Sequence, residues 1–150
     1  VLNILNRGIR EFCRDQYWMT MGVMVFRPQD QTLTLWSAGA PPCFLVSKEG
    51  QVRVLAQRSS PLGASNQVPW TSVTVPFHPG DRLISFSDAF IEQPTVKGEP
   101  IGLRRLERKV AQIGAMTALT ARAELMTWFS GLSDGSLRDD ITLAIVEFKR

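Results

Sequence analysis

Residues 80–93 read GDRLISFSDAFIEQ. Arg82 leads into Leu83-Ile84-Ser85-Phe86, a run with the composition of a buried strand, and Ser87 and Asp88 follow at its C-terminal end. A short apolar strand that finishes in a carboxylate carries that charge to the rim of a sheet. A second such address lies near the C-terminus. There Asp139 and Asp140 run straight into ITLAIVEF, residues 141–148. Asp residues converging at strand ends suit a hard divalent ion such as Mg2+ or Mn2+, which takes oxygen ligands and keeps several waters for substrate phosphates. Asp is equally a common residue of turns, so position alone leaves both readings open.

Outward from these two strands, the rest of the chain sorts into elements. Leu2, Leu5, Ile9 and Phe12 recur at helical spacing and predict an amphipathic helix up to about residue 13 with that face on a core. MTMGVMVF (19–26) and TLTLWSA (32–38) flank a polar connector of hairpin length, and CFLVS (43–47) and VRVLA (52–56) flank KEGQ, so an antiparallel meander is expected. VPWTSVTVPF (68–77) alternates apolar and polar residues, HPGD supplies a turn, and RLISFS returns as a strand. The segment from Glu92 to Gly102, with two prolines and two glycines, reads as irregular. Leu103, Leu106, Val110 and Ile113 mark one helix; Ala118, Leu125, Trp128, Phe129 and Leu132 mark another. Strands in a run with helices gathered at the ends indicate an α+β layered fold in one domain spanning residues 1–150.

Composition narrows the function. The 150 residues are 44% hydrophobic and 21% charged, an ordinary globular balance with room for one real core. Seventeen Lys and Arg against 14 Asp and Glu give a net charge of +3, well short of what nucleic-acid binding asks for. Cys13 and Cys43 have no paired spacing and no neighbouring His, which argues against a disulfide framework or zinc site and fits a reducing, cytoplasmic setting. No apolar run approaches a membrane span. The chain begins at Val1 within a periodic segment, so a piece of a longer protein is expected.

The succession SAGAPPCFLV, a Gly-containing hairpin, SPLG, PGDRLISFSDAFIEQ, GLRRLERKV and LRDDITLAIVEF resembles the C-terminal part of the PPM-type metal-dependent serine/threonine phosphatases. Within them it is similar to the bacterial SpoIIE/RsbU-like branch. The resemblance implies two packed antiparallel sheets flanked by helices, an α/β/β/α sandwich, with two Mn2+ or Mg2+ ions at one end. It implies that Asp88 and Asp139 bind metal and that a metal-activated water, not a side chain, attacks a phosphoserine or phosphothreonine. It further implies a phosphorylated anti-anti-sigma (STAS-type) regulator as substrate, with no nucleic acid or membrane contact, and leaves room for a dimer through an upstream region.

Three features depart from the family pattern. The family's opening strand pair, with a Gly-Asp motif followed by His-Gly, does not precede Val1, so weak metal binding and little turnover are expected of these residues alone. Ala89 stands where Gly usually follows the metal-binding Asp, where a positive φ would cost Ala about 1 kcal/mol. Ala40 stands where a His is usual. A catalytically inactive pseudophosphatase that binds a signalling partner is therefore the alternative.

Other residues carry plainer expectations. His78 and Asp81 belong to a turn, and Asp140 caps or anchors the entry to the last strand. Arg138 either reads a substrate phosphate or, the favoured reading, pairs with a nearby carboxylate. Glu92 lacks a family role. Arg104, Arg105, Arg108 and Lys109 form a solvated helix face able to attract an acidic partner. Core packing accounts for Trp18, Trp36, Trp70 and Trp128.

Overall fold

The alternation of apolar side chains resolves into seven strands and four helices in the computed structural model, which describes every residue except Asp15, Gln67 and Arg150. The chain divides into two compact units, Val1–Pro41 with Ala56–Pro76 and Pro42–Leu55 with Phe77–Arg150. Each unit holds one antiparallel sheet, the first with one helix and the second with three, the α+β, two-sheet class that the motif order implies.

In the first unit, β1 (Met21–Arg27), β2 (Thr32–Ala38) and β5 (Ser72–Pro76) lie in the order β1-β2-β5. The hairpin register runs from Met21 opposite Ala38 to Arg27 opposite Thr32. Helix α1 (Leu2–Cys13) sets Leu2, Leu5 and Ile9 against Ala38, Leu62, Trp36 and Trp70. Phe12 does not join them: it is 91% exposed at the helix end, two residues before the chain bends away through Arg14 at φ 50°. A polar residue fastens the helix instead. Buried Asn6 donates through Nδ2 to the Ser65 carbonyl (2.9 Å) and accepts at Oδ1 from the Gly63 amide (2.7 Å), so the two ends of its amide hold one loop. Gly63 sits at φ +90°, where a Cβ would come within 2.8 Å of the Tyr17 carbonyl oxygen, so only glycine fits.

In the second unit, β3 (Cys43–Val46), β4 (Val52–Leu55), β6 (Arg82–Phe86) and β7 (Leu143–Glu147) lie in the order β4-β3-β6-β7. The central strands β3 and β6 are buried nearly throughout, which is why RLISF and CFLV read as unbroken apolar runs rather than alternations. One face, Phe44, Val46, Ile84 and Phe86, packs with Leu106 and Val110 of α3 (Leu103–Gln112) and with Ala121, Leu125 and Phe129 of α4 (Ala118–Leu132). An aromatic series threads this core: ring centroids lie 5.5 Å apart from Phe44 to Phe86, 6.2 Å from Phe86 to Phe90 and 4.7 Å from Phe90 to Phe129. Thr117 caps α4 by accepting from the Thr120 amide.

The expected single meander does not form. The β1–β2 and β3–β4 hairpins belong to different sheets, because Gly39 at φ +73° and the pair Pro41-Pro42, which lack amide donors, end the first ladder before the second begins. Likewise β5 and β6, joined by HPGD, lie in separate sheets. The turn itself is as expected: His78 is exposed, and Asp81 is buried and accepts from the amides of Lys48 (3.0 Å) and His78 (2.7 Å). Trp18 departs from the core assignment, being 69% exposed in the connector between α1 and β1.

Candidate functional site

The ladder between β6 and β7 brings the two Asp-bearing segments together. Phe86 pairs with Leu143 in register. One step further the Ser87 amide donates to the Thr142 carbonyl at 3.0 Å. The Ser87 hydroxyl then donates to the Asp140 carbonyl (3.0 Å) and accepts from the Thr142 amide (3.0 Å). Asp88 is the next residue after this clasp on one strand, and Asp139 lies just before it on the other. The strand of the opening motif thus delivers its carboxylate beside the last strand's entry.

Asp88 caps a short helix, α2 (Ala89–Glu92): its Oδ1 accepts from the Ala89 amide at 3.0 Å, and its carbonyl accepts from the amides of Ile91 and Glu92. Ala89 therefore takes helical geometry and is buried, and the strain expected from a positive φ is absent. Asp139 Oδ1 accepts from the Asp140 amide at 2.7 Å. Asp88, Asp139 and Asp140 are all exposed. Glu92 closes α2 and is exposed as well.

A second clasp, not foreseen in the sequence, lies just beyond. Gln93 is buried, and its Nε2 donates toward Ser133 Oγ (2.9 Å), Asp134 Oδ1 (3.3 Å) and the Ser136 carbonyl (2.5 Å). The backbone repeats the attachment, with the Val96 amide on the Leu132 carbonyl and an isolated bridge between Thr95 and Ser133. The loop leading to Asp139 is therefore fixed from the segment that follows Asp88. The available signal for Ser87 was a hydroxyl at a strand end; Gln93 offered none beyond being a polar residue in an apolar neighbourhood.

Arg138 pairs with Asp134 (3.9 Å), in keeping with the favoured reading of it as a carboxylate partner. The Ser136 hydroxyl and amide, with Arg138 adding a smaller pull, hold the Asp134 carboxyl below its ordinary range, so it stays ionised in this loop. Ala40 lies in the first unit, where its carbonyl accepts from the Ser37 hydroxyl (3.3 Å).

As a metal site, the donor chemistry fits: two exposed carboxylates offer hard oxygen ligands, and no cationic side chain among the described residues pairs with either. The number does not suffice for a closed shell, since no cluster of three or more His, Cys, Asp or Glu side chains able to hold an ion occurs among the described residues.

A protein-family model described as stage II sporulation protein E (SpoIIE) matches residues 1–149. The chain belongs to the SpoIIE family. Its fold is that of PP2C (PPM-type) phosphatase domains. The SiaA-PP2C domain of Pseudomonas aeruginosa superposes with a TM-score of 0.86 at 18% identity, over 99% of this chain and 59% of that one. The RsbU and RsbW domains of a Mycobacterium tuberculosis protein give 0.76 at 20%, over 96% and 40%. The Mn-presoaked phosphatase domain of SpoIIE from Bacillus subtilis gives 0.69 at 22%, over 87% and 56%. The SpoIIE-family chain thus spans less than two thirds of these structures. No curated protein matches it. Among the described residues no helix is long and apolar enough to cross a membrane.

Proposed function

We propose that this chain is the larger part of a single metal-dependent phosphoprotein phosphatase domain, acting on a phosphoserine or phosphothreonine of a signalling regulator of the anti-anti-sigma (STAS) type in the cytoplasm. The observation that carries the reading is the Ser87 clasp, which holds the Asp88 and Asp139 segments side by side in a SpoIIE-family chain. Asp88 and Asp139 would hold Mn2+ or Mg2+. When bound, such ions supply an acidified water and positive charge toward the phosphoryl oxygens. The chain's own residues orient the ligands: Ser87 fixes the strand ends, Gln93 fixes the loop before Asp139, and Arg138, shared with Asp134, is within one residue of a ligand to meet a phosphate.

The test is Mn2+-dependent hydrolysis of a phosphoserine protein by the full-length protein. Loss of a residue that only orients a metal ligand typically costs 10–100-fold, so Asp88→Asn and Asp139→Asn, which remove ligands outright, are expected to lose at least about a hundredfold. Unchanged activity in either would refute the assignment. Ala40 and Ala89, which depart from the family pattern, favour a second reading, a pseudophosphatase that binds its partner without turnover. A folded full-length protein with no hydrolysis in Mn2+ would select it.

A further inference from the structure

The cations of α3 take no part in the Asp88–Asp139 segments, and their setting is more specific than a solvated face. Arg105, Arg108, Lys109 and Gln112 of α3 and Trp128 and Leu132 of α4 line an open groove of about 250 Å3 within the second unit. Residues 103–132 carry five Lys and Arg against two Glu, an excess equal to the whole chain's net charge of +3. The remainder of the chain is balanced, with 12 cations against 12 acids, so these two helices carry a local positive excess.

The groove's own neutralisation is partial and exchangeable. Arg105 meets Glu99 at 3.3 Å and Lys109 meets Glu124 at 3.3 Å. The Arg105–Glu99 pair is a surface pair, with Glu99 68% exposed, and such pairs are weak. Lys109 is only 16% exposed, so its pair with Glu124 is partly buried and the opening for a partner lies mainly at Arg105 and Arg108. Arg108 Nε donates to the Arg104 carbonyl (3.4 Å), and among the described residues neither Arg104 nor Arg108 pairs with a carboxylate. Beneath the cations, half-buried Trp128 and Leu132 offer an apolar floor.

We propose that the α3–α4 groove docks an acidic, partly apolar segment of a partner protein. Its carboxylates meet Arg105, Arg108 and Lys109, and one apolar side chain seats on Trp128 and Leu132. A polypeptide fits better than a nucleic acid, because Glu99 and Glu124 at the rim would repel a continuous phosphate backbone, whereas a peptide spaces its charges and supplies the apolar residue. The groove shares no residue with the proposed metal site, so docking is expected whether or not the protein hydrolyses phosphate.

The experiment uses the full-length protein and a fluorescein-labelled peptide of alternating Glu residues around a central Leu-Phe, with a Lys-for-Glu peptide and oligothymidylate as comparators. The acidic peptide is expected to bind in roughly the micromolar range, more weakly as salt rises. Binding should fall roughly tenfold or more in Arg105→Glu/Arg108→Glu. It should survive in Trp128→Phe, which keeps an aromatic floor but abolishes the change in tryptophan emission. The proposal is overturned by equal binding to a folded charge-reversal variant, by an emission change that persists in Trp128→Phe, by tighter binding of oligothymidylate, or by no binding up to about 1 mM peptide.

Discussion

The two units are fastened by different physics. The second buries a twelve-residue apolar cluster, and its exposed large apolar side chains are Val96, Leu119, Leu137 and Val146. Among the described residues the first buries Leu2, Leu33, Leu35, Ala38, Leu62 and Val75, yet exposes Val1, Ile4, Phe12, Tyr17, Trp18, Met19, Met24 and Phe26. Burial supplies stability in proportion to apolar area removed from water, so the second unit has the deeper reserve. The first supplements its smaller core with a directional contact, the Asn6 clasp. The candidate site sits on the well-cored unit: α2, which begins at Asp88, inserts Phe90 directly into the aromatic series. A carboxylate whose neighbour is locked in a core is held more precisely than one on a free loop.

The sharpest way to break this contrast is truncation. Phe90→Ala removes a fully buried ring and is expected to cost about 3–5 kcal/mol, read from the urea midpoint, and to reduce Mn2+-dependent activity because α2 loses its anchor. Leu2→Ala, at the thin core of the first unit, is expected to cost about 2 kcal/mol. Equal costs would erase the distinction between the two cores.

The directional contacts give the next pair. Asn6→Leu leaves the Gly63 amide and Ser65 carbonyl without their partner and is expected to destabilise by about 1–3 kcal/mol with little effect on turnover. Gln93→Leu is expected to cost a similar amount but also to weaken Mn2+ binding, since the loop leading to Asp139 loses its side-chain clasp. Ser87→Ala comes below both, about 1 kcal/mol in stability, with a 10–100-fold loss in Mn2+ affinity measured by titration calorimetry. If Asn6→Leu moved metal affinity as much as Ser87→Ala, the site would not belong to the second unit alone.

Much of this was legible in the sequence because period and composition report burial. RLISF and CFLV were recognisable as strands, and the leucine spacing of LRRLERKV gave α3, since these residues are buried wherever the elements go. What period cannot report is partnership. The split of the hairpins between two sheets depends on Gly39 and Pro41-Pro42, which mark a bend without naming the strand beyond it. Helical spacing points Phe12, and its aromatic bulk points Trp18, toward a core, although an apolar residue at an element's end or in a connector has no obligatory neighbour. At the site, Asp88 and Asp139 stood out through strand-end position and motif order. Gln93 did not, because its contacts span about forty residues of sequence and leave no local signature.

The smallest expected effect sets one cysteine of each unit against the other. Cys43, buried in β3, has its thiol pushed up from the ordinary value of 9.0 by loss of hydration, with the Ser85 hydroxyl pulling weakly the other way. Cys13 is only half-buried on α1. Because the thiolate is the nucleophile, an alkylating reagent in the native protein should label Cys13 first and reach Cys43 only as the second unit opens. The same shift has a thermodynamic sign. Above pH 9.0 the unfolded chain ionises this thiol while the folded state still holds the proton, so the Cys43 contribution is present below that pH and is lost as pH rises toward the folded value. Cys43→Ala should therefore flatten the alkaline limb of the stability profile. Equal labelling rates, or an alkaline limb unmoved in Cys43→Ala, would show that β3 is no better sealed than α1.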